Sequence, residues 1–184
     1  MRKLTYYIAM TLDGVIAGPA GTTDFFMVDG PHQAAINETF ADTVPPPWRE
    51  QLGFGALTRF DTVLMGRQTY DLALAEGNPS PYPHLRQIVA SRTARTSTDV
   101  EFTADPVATV RELKQRDGLG IWLCAGGKLA GALRDEIDEL VLKVQPFVAG
   151  GGLRLVDGDF SPARFTLADS QVFDNGVTVL TYRR

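Results

Sequence analysis

Short apolar runs rich in β-branched and aromatic residues recur along the chain, separated by stretches whose apolar positions follow helical spacing. Leu4 to Met10 reads as a strand, closed by the turn signals Asp13-Gly14 and Gly18-Pro19. Gly18 to Pro47 mixes Gly, Pro and Thr with Phe25, Phe26 and Phe40, which predicts a long loop carrying a short helix around Pro31 to Thr43. Pro45-Pro46-Pro47 then leads into a helix expected from Trp48 to about Leu57. Beyond it the pattern is regular: a strand at Asp61 to Met65, a helix at Gly66 to Glu76, and strands at Gln87 to Ala90 and Val100 to Thr103. Asp105-Pro106 supplies an N-cap and an N1 proline for a helix with Val107, Val110 and Leu113 on one face, ended by Gly118. A strand at Ile121 to Cys124, a short helix at Lys128 to Arg134 and a strand at Ile137 to Val144 follow. The tail reads as a hairpin, Phe165 to Phe173 and Val177 to Tyr182, turning at Asn175-Gly176.

Strands alternating with helices predict an α/β domain with about eight strands, mostly parallel, covered by helices on both faces, with an antiparallel edge from the terminal hairpin. The 184 residues fit a single domain with a sizeable core, and 44% hydrophobic with 22% charged residues is an ordinary globular composition. A formal net charge of −4 argues against extended nucleic-acid binding, which needs a clustered basic face. It leaves room for a small anionic ligand held by local cations. No apolar segment reaches membrane length, and a cytoplasmic protein with no membrane partner is expected. The single cysteine, Cys124, follows Trp122-Leu123 in an apolar strand and reads as a buried thiol. His32 and His84 stand beside prolines, far apart, and are expected at the surface; no spacing resembles a metal set.

In such sheets ligands bind beyond the carboxyl ends of the strands, and Gly66, Ser91 and Gly126 all fall at strand ends. Gly66-Arg67-Gln68-Thr69 ends a strand and starts a helix, so free N–H groups, the Arg67 guanidinium and the Thr69 hydroxyl together suit a phosphate; an ordinary solvated turn is the alternative. Gly126-Gly127 permits close backbone approach before a helix start, with a tight turn without ligand equally open. Ser91-Arg92-Thr93 offers hydroxyls and a forked cation for a ribose phosphate, or is a polar loop. Neither common nucleotide fingerprint occurs, and no nucleophilic triad can be assembled, which points to cofactor-borne chemistry.

Three segments carry a family resemblance: Ala9-Met10-Thr11-Leu12-Asp13-Gly14-Val15-Ile16-Ala17, Met65-Gly66-Arg67-Gln68-Thr69-Tyr70 and Ala125-Gly126-Gly127. In order and spacing they resemble the dihydrofolate reductase superfamily, most closely the branch related to the reductase domain of riboflavin biosynthesis. The resemblance implies a dihydrofolate-reductase-like fold and an NADPH-dependent reductase that passes hydride to a small heterocyclic or carbonyl substrate; an NADP(H)-binding module without turnover is the alternative. By carry-over, Gly66, Arg67 and Thr69 meet the cofactor phosphates, and Ser91 and Arg92 the 2′-phosphate region. Gly126, Gly127, Lys128 and Leu129 wrap the pyrophosphate, and the Gly126–Gly127 peptide is expected to be cis. Ala9 and Ile16 border the nicotinamide, with Asp13-Gly14 in a mobile loop between them. A homodimer is also implied. The acidic residue that anchors the pterin in folate reductases has only Glu50 as a counterpart on the expected helix, and the branch's Asp-Trp pair is replaced by Asp24-Phe25. Asp24 is therefore the candidate polar anchor or proton-relay group, against the alternative of a solvated loop aspartate. Gly150-Gly151-Gly152 matches the late glycine loop of the branch.

Overall fold

The computed structural model describes residues 1–93 and 95–184. Among them the elements run β1 (Leu4–Thr11), β2 (Val15–Ala17), α1 (Pro31–Thr39), α2 (Pro46–Gln51), β3 (Phe60–Gly66), α3 (Arg67–Ala75), β4 (Arg86–Ala90) and β5 (Glu101–Thr103). They continue with α4 (Pro106–Lys114), β6 (Gly120–Cys124), α5 (Gly127–Ala132), β7 (Glu139–Gln145), β8 (Leu153–Arg154), β9 (Thr166–Val172) and β10 (Thr178–Arg183). An 8-stranded sheet has the order β5-β4-β3-β6-β1-β7-β10-β9, and β2 and β8 form a separate two-stranded sheet. Strands β5 through β7 in that order are mutually parallel, whereas β10 is antiparallel to both of its neighbours. The fold is α/β, with a mostly parallel sheet and an antiparallel edge from the terminal hairpin, as expected.

Alternation along the strands splits the core in two. Tyr7, Val63, Met65, Val89, Trp122, Val141 and Val179 face one side, where Ile36 of α1, Phe40 and Tyr70 of α3 cover them. Leu4, Tyr6, Leu64, Ile88, Ile121 and Leu123 face the other, beneath Val110 and Leu113 of α4 and Ala130 of α5. The Asp105 cap forms as expected, accepting the Ala108 N–H at 2.9 Å. Gly176 adopts φ +86° in the terminal hairpin, a conformation glycine reaches without penalty.

The segment between β2 and β3 departs from expectation. The helix predicted over Pro31 to Thr43 stops at Thr39 and is followed by a 3-10 turn, Ala41–Thr43. That turn carries Asp42, fully buried, whose Oδ2 accepts the backbone N–H groups of Thr58 (3.0 Å), Arg59 (2.6 Å) and Phe60 (2.9 Å). Three charge-assisted bonds from one carboxylate fix the entry into β3. The helix expected to reach Leu57 covers only Pro46–Gln51, because Gly53 turns the chain at φ +70°. No helix among the described residues is long and apolar enough to cross a membrane.

Candidate functional site

Register brings the predicted turns to one edge of the sheet. Gly66 pairs with Ala90 across β3 and β4, and Met65 with Cys124 across β3 and β6, so Gly66, Ser91 and Ala125-Gly126 leave the sheet on the same side. A Cβ placed on Gly66 would stand 3.6 Å from Ala125 Cβ, 3.8 Å from Thr69 Oγ1 and 3.9 Å from Leu129 Cδ2. The starts of α3 and α5 therefore lie side by side. Neither N-cap glycine offers a side chain to the helix, so the first N–H groups of both helices lack a side-chain cap.

The two glycines of the second turn have different reasons to be glycine. A Cβ on Gly126 would meet nothing within 4 Å, so this side of the turn is open. A Cβ on Gly127 would overlap the carbonyl oxygen of Arg154, and the Gly127 carbonyl accepts the Asp157 N–H at 3.0 Å. The turn is further fixed by the Tyr6 hydroxyl, which lies 3.2 Å from the Ala125 carbonyl oxygen and 3.0 Å from that of Leu155. Gly126 has φ −80° and ψ 173° and feeds α5 directly. No peptide bond among the described residues is cis, so the expected cis Gly126–Gly127 bond is corrected to trans: Gly126 stands as an extended N-cap and Gly127 is held by the 154–157 backbone.

Cations gather at the same edge. Arg67 Nη1 lies 3.1 Å from Asp71 Oδ2, and Arg95 Nη1 lies 2.7 Å from Asp71 Oδ1. One carboxylate thus serves two guanidinium groups at the surface, where such pairs are weak and readily exchanged. Arg92 and Lys128 are exposed and form no ion pair among the described residues. Ser91 is buried, donating its N–H to Thr103 O (2.9 Å) and its hydroxyl to Thr93 O (2.8 Å), so that hydroxyl is spent within its own loop.

On the β1 side the sheet has a notch. β1 pairs with β6 only as far as Tyr6 with Leu123, yet continues along β7 to Thr11 with Gln145. Ile8, Ala9 and Met10 are accordingly half-buried in a central strand. Ile16, expected beside the nicotinamide, is buried in β2. The turn after β1 is not loose. Asp13 accepts Thr11 Oγ1 (2.5 Å) and Ala149 N (3.1 Å) on Oδ1, and Gly150 N (2.7 Å) on Oδ2. Arg154 donates to the Asp13 carbonyl at 2.9 Å. These donors, the Thr11 hydroxyl foremost, hold the Asp13 carboxyl down at about 2. The mobile loop expected here is thus corrected to a tied turn. Gly152, at φ +139°, lets the glycine loop run against Val15 and Ala17 of β2, where a side chain has no room.

Asp24 is exposed and makes no side-chain hydrogen bond among the described residues. Its neighbours are anchored: Phe25 packs edge-on to Phe147 at 6.4 Å, and the Gln145 side-chain amide donates to Met27 O at 3.2 Å. The Asp24 backbone is thereby brought near the end of β7, away from the Gly66 turn. Glu50 is exposed on α2.

A family model described as "RibD C-terminal domain" matches residues 2–179. The chain belongs to the RibD C-terminal domain family. Two curated Bacillus subtilis (strain 168) proteins resemble it, both described as uncharacterized. YwjB is 28% identical and YyaP 25%, covering 96% and 98% of this chain and 95% and 94% of those proteins. Among solved structures, a candidate riboflavin biosynthesis protein from Shewanella sp. PV-4 superposes with a TM-score of 0.72 at 25% identity, covering 100% of this chain and 99% of that one. Dihydrofolate reductase from Enterococcus faecalis, complexed with NADP(H), shares the fold with a TM-score of 0.68 at 16% identity, covering 99% and 96%. The diaminohydroxyphosphoribosylaminopyrimidine deaminase/5-amino-6-(5-phosphoribosylamino)uracil reductase of Thermotoga maritima shares it with a TM-score of 0.66 at 18% identity. This chain covers 56% of that longer protein and is itself covered over 99%.

Within this RibD C-terminal domain the structure also corrects the reading of the histidines. His32 is fully buried, with Nε2 3.2 Å from Met27 O and Nδ1 2.8 Å from Asn175 Nδ2, so it joins α1 to the terminal hairpin. His84 is half-buried, its Nε2 2.9 Å from Asp42 O. The Asn175 partner of His32 is a contact across the fold that no local pattern announces. Burial pushes the Cys124 thiol up to about 12, in keeping with an inert cysteine. Two groups went unnoticed in the sequence: Arg95, which joins Arg67 at Asp71, and Lys143, set in the otherwise apolar run Leu140-Val141-Leu142-Lys143-Val144. That lone cation inside a strand was the available signal.

Proposed function

We propose that this RibD C-terminal domain protein is an NADPH-dependent reductase transferring hydride to a small heterocyclic or carbonyl substrate. The observation that carries the reading is the adjacency of Gly66, Ala125 and Leu129, which sets two uncapped helix starts and the open face of Gly126 beside one cluster of arginines. Free N–H groups, an open backbone face and forked cations are the donor set that a dinucleotide's phosphates require. The fold shared with an NADP(H)-complexed dihydrofolate reductase supports the same choice.

In this reading Gly66, Arg67 and Thr69 bind phosphate at the α3 start, while Gly126, Gly127, Lys128 and Leu129 receive the pyrophosphate at the α5 start. Ser91 shapes the loop that presents Arg92 to the 2′-phosphate. Ala9 presents only a methyl group at the notch beside β1, leaving room for a ring, and Ile16 backs that wall from β2. Asp24 is the polar group available to a substrate at the far end of the notch. Bound NADPH supplies the hydride; the chain's share is positioning and water exclusion.

Binding is read by calorimetry and by melting temperature. NADPH at a hundredfold excess over its Kd stabilises the native state by about 2.7 kcal/mol, worth roughly 5–10 °C for a chain of this size. Arg92→Ala weakens NADPH roughly tenfold to a hundredfold and NADH little. Equal loss for both cofactors refutes the 2′-phosphate assignment, and no binding at all refutes the reading. Oxidation of NADPH, followed by absorbance with candidate acceptors, separates a reductase from a binding module without turnover.

A further inference from the structure

Lys143 is a cation within the sheet that has no ion-pair partner among the described residues. It lies on β7 between Ala9 of β1 and Val179 of β10, on the face that carries Tyr7, Val141 and Trp122. Its Nζ sits 4.2 Å from the Tyr7 ring centroid, and Tyr7 is in turn stacked on Phe40 at 4.6 Å and set edge-on to Trp122 at 6.2 Å. The aromatic surface under the ammonium is therefore fixed. A cation–π contact holds a partly desolvated ammonium in place but leaves its three N–H donors without acceptors.

The polar residues that share its face of β7 are already engaged. Four residues back along β7, Glu139 is already taken by Arg183 (2.8 Å), Arg59 (3.4 Å) and the Thr5 hydroxyl (3.2 Å). Two residues on, Gln145 spends its amide on Met27. Among the described residues the Lys143 side chain makes no hydrogen bond and no ion pair, although the residue is half-buried. Its field is nonetheless felt at the neighbouring Cys124 thiol, where it opposes the effect of burial. A partly buried charge without a partner is costly unless a ligand brings one.

The position is also the right one. Ala9, and with it Lys143, lies on the stretch of β1 beyond its last pairing with β6 at Tyr6 and Leu123, where the chain after β6 turns through Ala125-Gly126 into α5. Ala9 and Gly126 are only partly buried there, and a Cβ on Gly126 would meet nothing within 4 Å. We propose that Lys143 is the counter-ion for an anionic oxygen of the hydride acceptor, making the substrate an anion rather than a neutral ring. The proposal rests on the reductase reading for the word acceptor, but the anion site itself exists without the cofactor.

The test uses the full chain without cofactor and calorimetric titration with three probes: orotate, a planar ring bearing a carboxylate; uracil, the same ring without it; and inorganic phosphate. Orotate or phosphate binds at least tenfold tighter than uracil, and which of the two does so tells a ring-borne carboxylate from a phosphate group. Lys143→Met keeps an apolar stem over Tyr7 and removes the charge; it loses that preference by at least tenfold, while Lys143→Arg keeps it. NADPH affinity, measured separately, is unchanged within twofold in Lys143→Met, so failure of the cofactor reading registers in a different titration. Anion binding no tighter than that of uracil, or undiminished in a folded Lys143→Met, overturns the proposal.

Discussion

Gly126 and Gly127 are neighbours in sequence and should respond oppositely to the same added methyl group. At Gly126 the backbone lies at φ −80° and ψ 173°, which any residue adopts, and the added Cβ meets nothing within 4 Å. Gly126→Ala exchanges a small loss of N-cap preference against a smaller unfolded-state entropy, a net change within about 1 kcal/mol. At Gly127 the Cβ falls onto the Arg154 carbonyl oxygen, with Asp157 N 3.2 Å away, so backbone rather than a flexible side chain must give way. Overpacking of this kind costs about 1–3 kcal/mol, which lowers the melting temperature of a chain this long by roughly 2–12 °C. Ligand binding reverses the contrast. The Gly126 methyl stands where a pyrophosphate would approach, so Gly126→Ala binds NADPH at least tenfold more weakly while melting like wild type. Scanning calorimetry and NADPH titration on the two variants give the four numbers needed. A Gly126→Ala protein with undiminished NADPH affinity refutes the placement of the dinucleotide at this turn, and a Gly127→Ala protein that melts like wild type refutes the packing argument.

Two further outcomes follow from single groups. The Asp13 carboxyl is held at about 2 in the folded chain against an ordinary value of 3.8, so its contribution is fully present above the ordinary value and is lost as pH falls towards 2. In urea unfolding, the stability gap between wild type and Asp13→Asn is therefore constant from pH 7 to pH 5 and closes below pH 4; a gap that does not narrow in acid contradicts the assignment. Cys124, raised to about 12, stays unlabelled by a thiol-reactive disulfide at pH 8 in the native protein and reacts once urea unfolds it. Rapid labelling of the native chain would show the thiol to be accessible and ionised.

Elements whose causes are local could be read from the chain. Asp105-Pro106 announces α4 because cap and N1 proline act within one turn, and Asn175-Gly176 announces the hairpin because the turn needs Gly176 at φ +86°. The alternation of strands and helices similarly fixes which strand ends face the same edge, which is why Gly66, Ser91 and Gly126 could be grouped. What was illegible depends on distant partners. The pairing of Val15–Ala17 with Leu153–Arg154 involves segments too short to show a period. The burial of His32 depends on Asn175, and the role of Asp42 depends on N–H groups at 58–60. Asp13 looked like part of a loose loop because its acceptors' donors, Ala149 and Gly150, lie at the other end of the chain. Lys143 is visible as an oddity in an apolar strand, but that it has no carboxylate partner among the described residues is a fact of three dimensions.

The segment from Phe147 to Asp157 touches both sides of the rim. At one end Phe147 O accepts the Leu12 N–H, and Ala149 and Gly150 are held by Asp13. At the other, the Arg154 carbonyl presses on Gly127, and Asp157 bonds to the Gly127 carbonyl. It works as a brace between the turn after β1 and the start of α5. The wall beside β1 and the start of α5 are mechanically coupled through it, and neither can swing outward without breaking contacts on the opposite bank. Separating those two parts is then a concerted event that costs several hydrogen bonds at once, rather than the drift of one free loop.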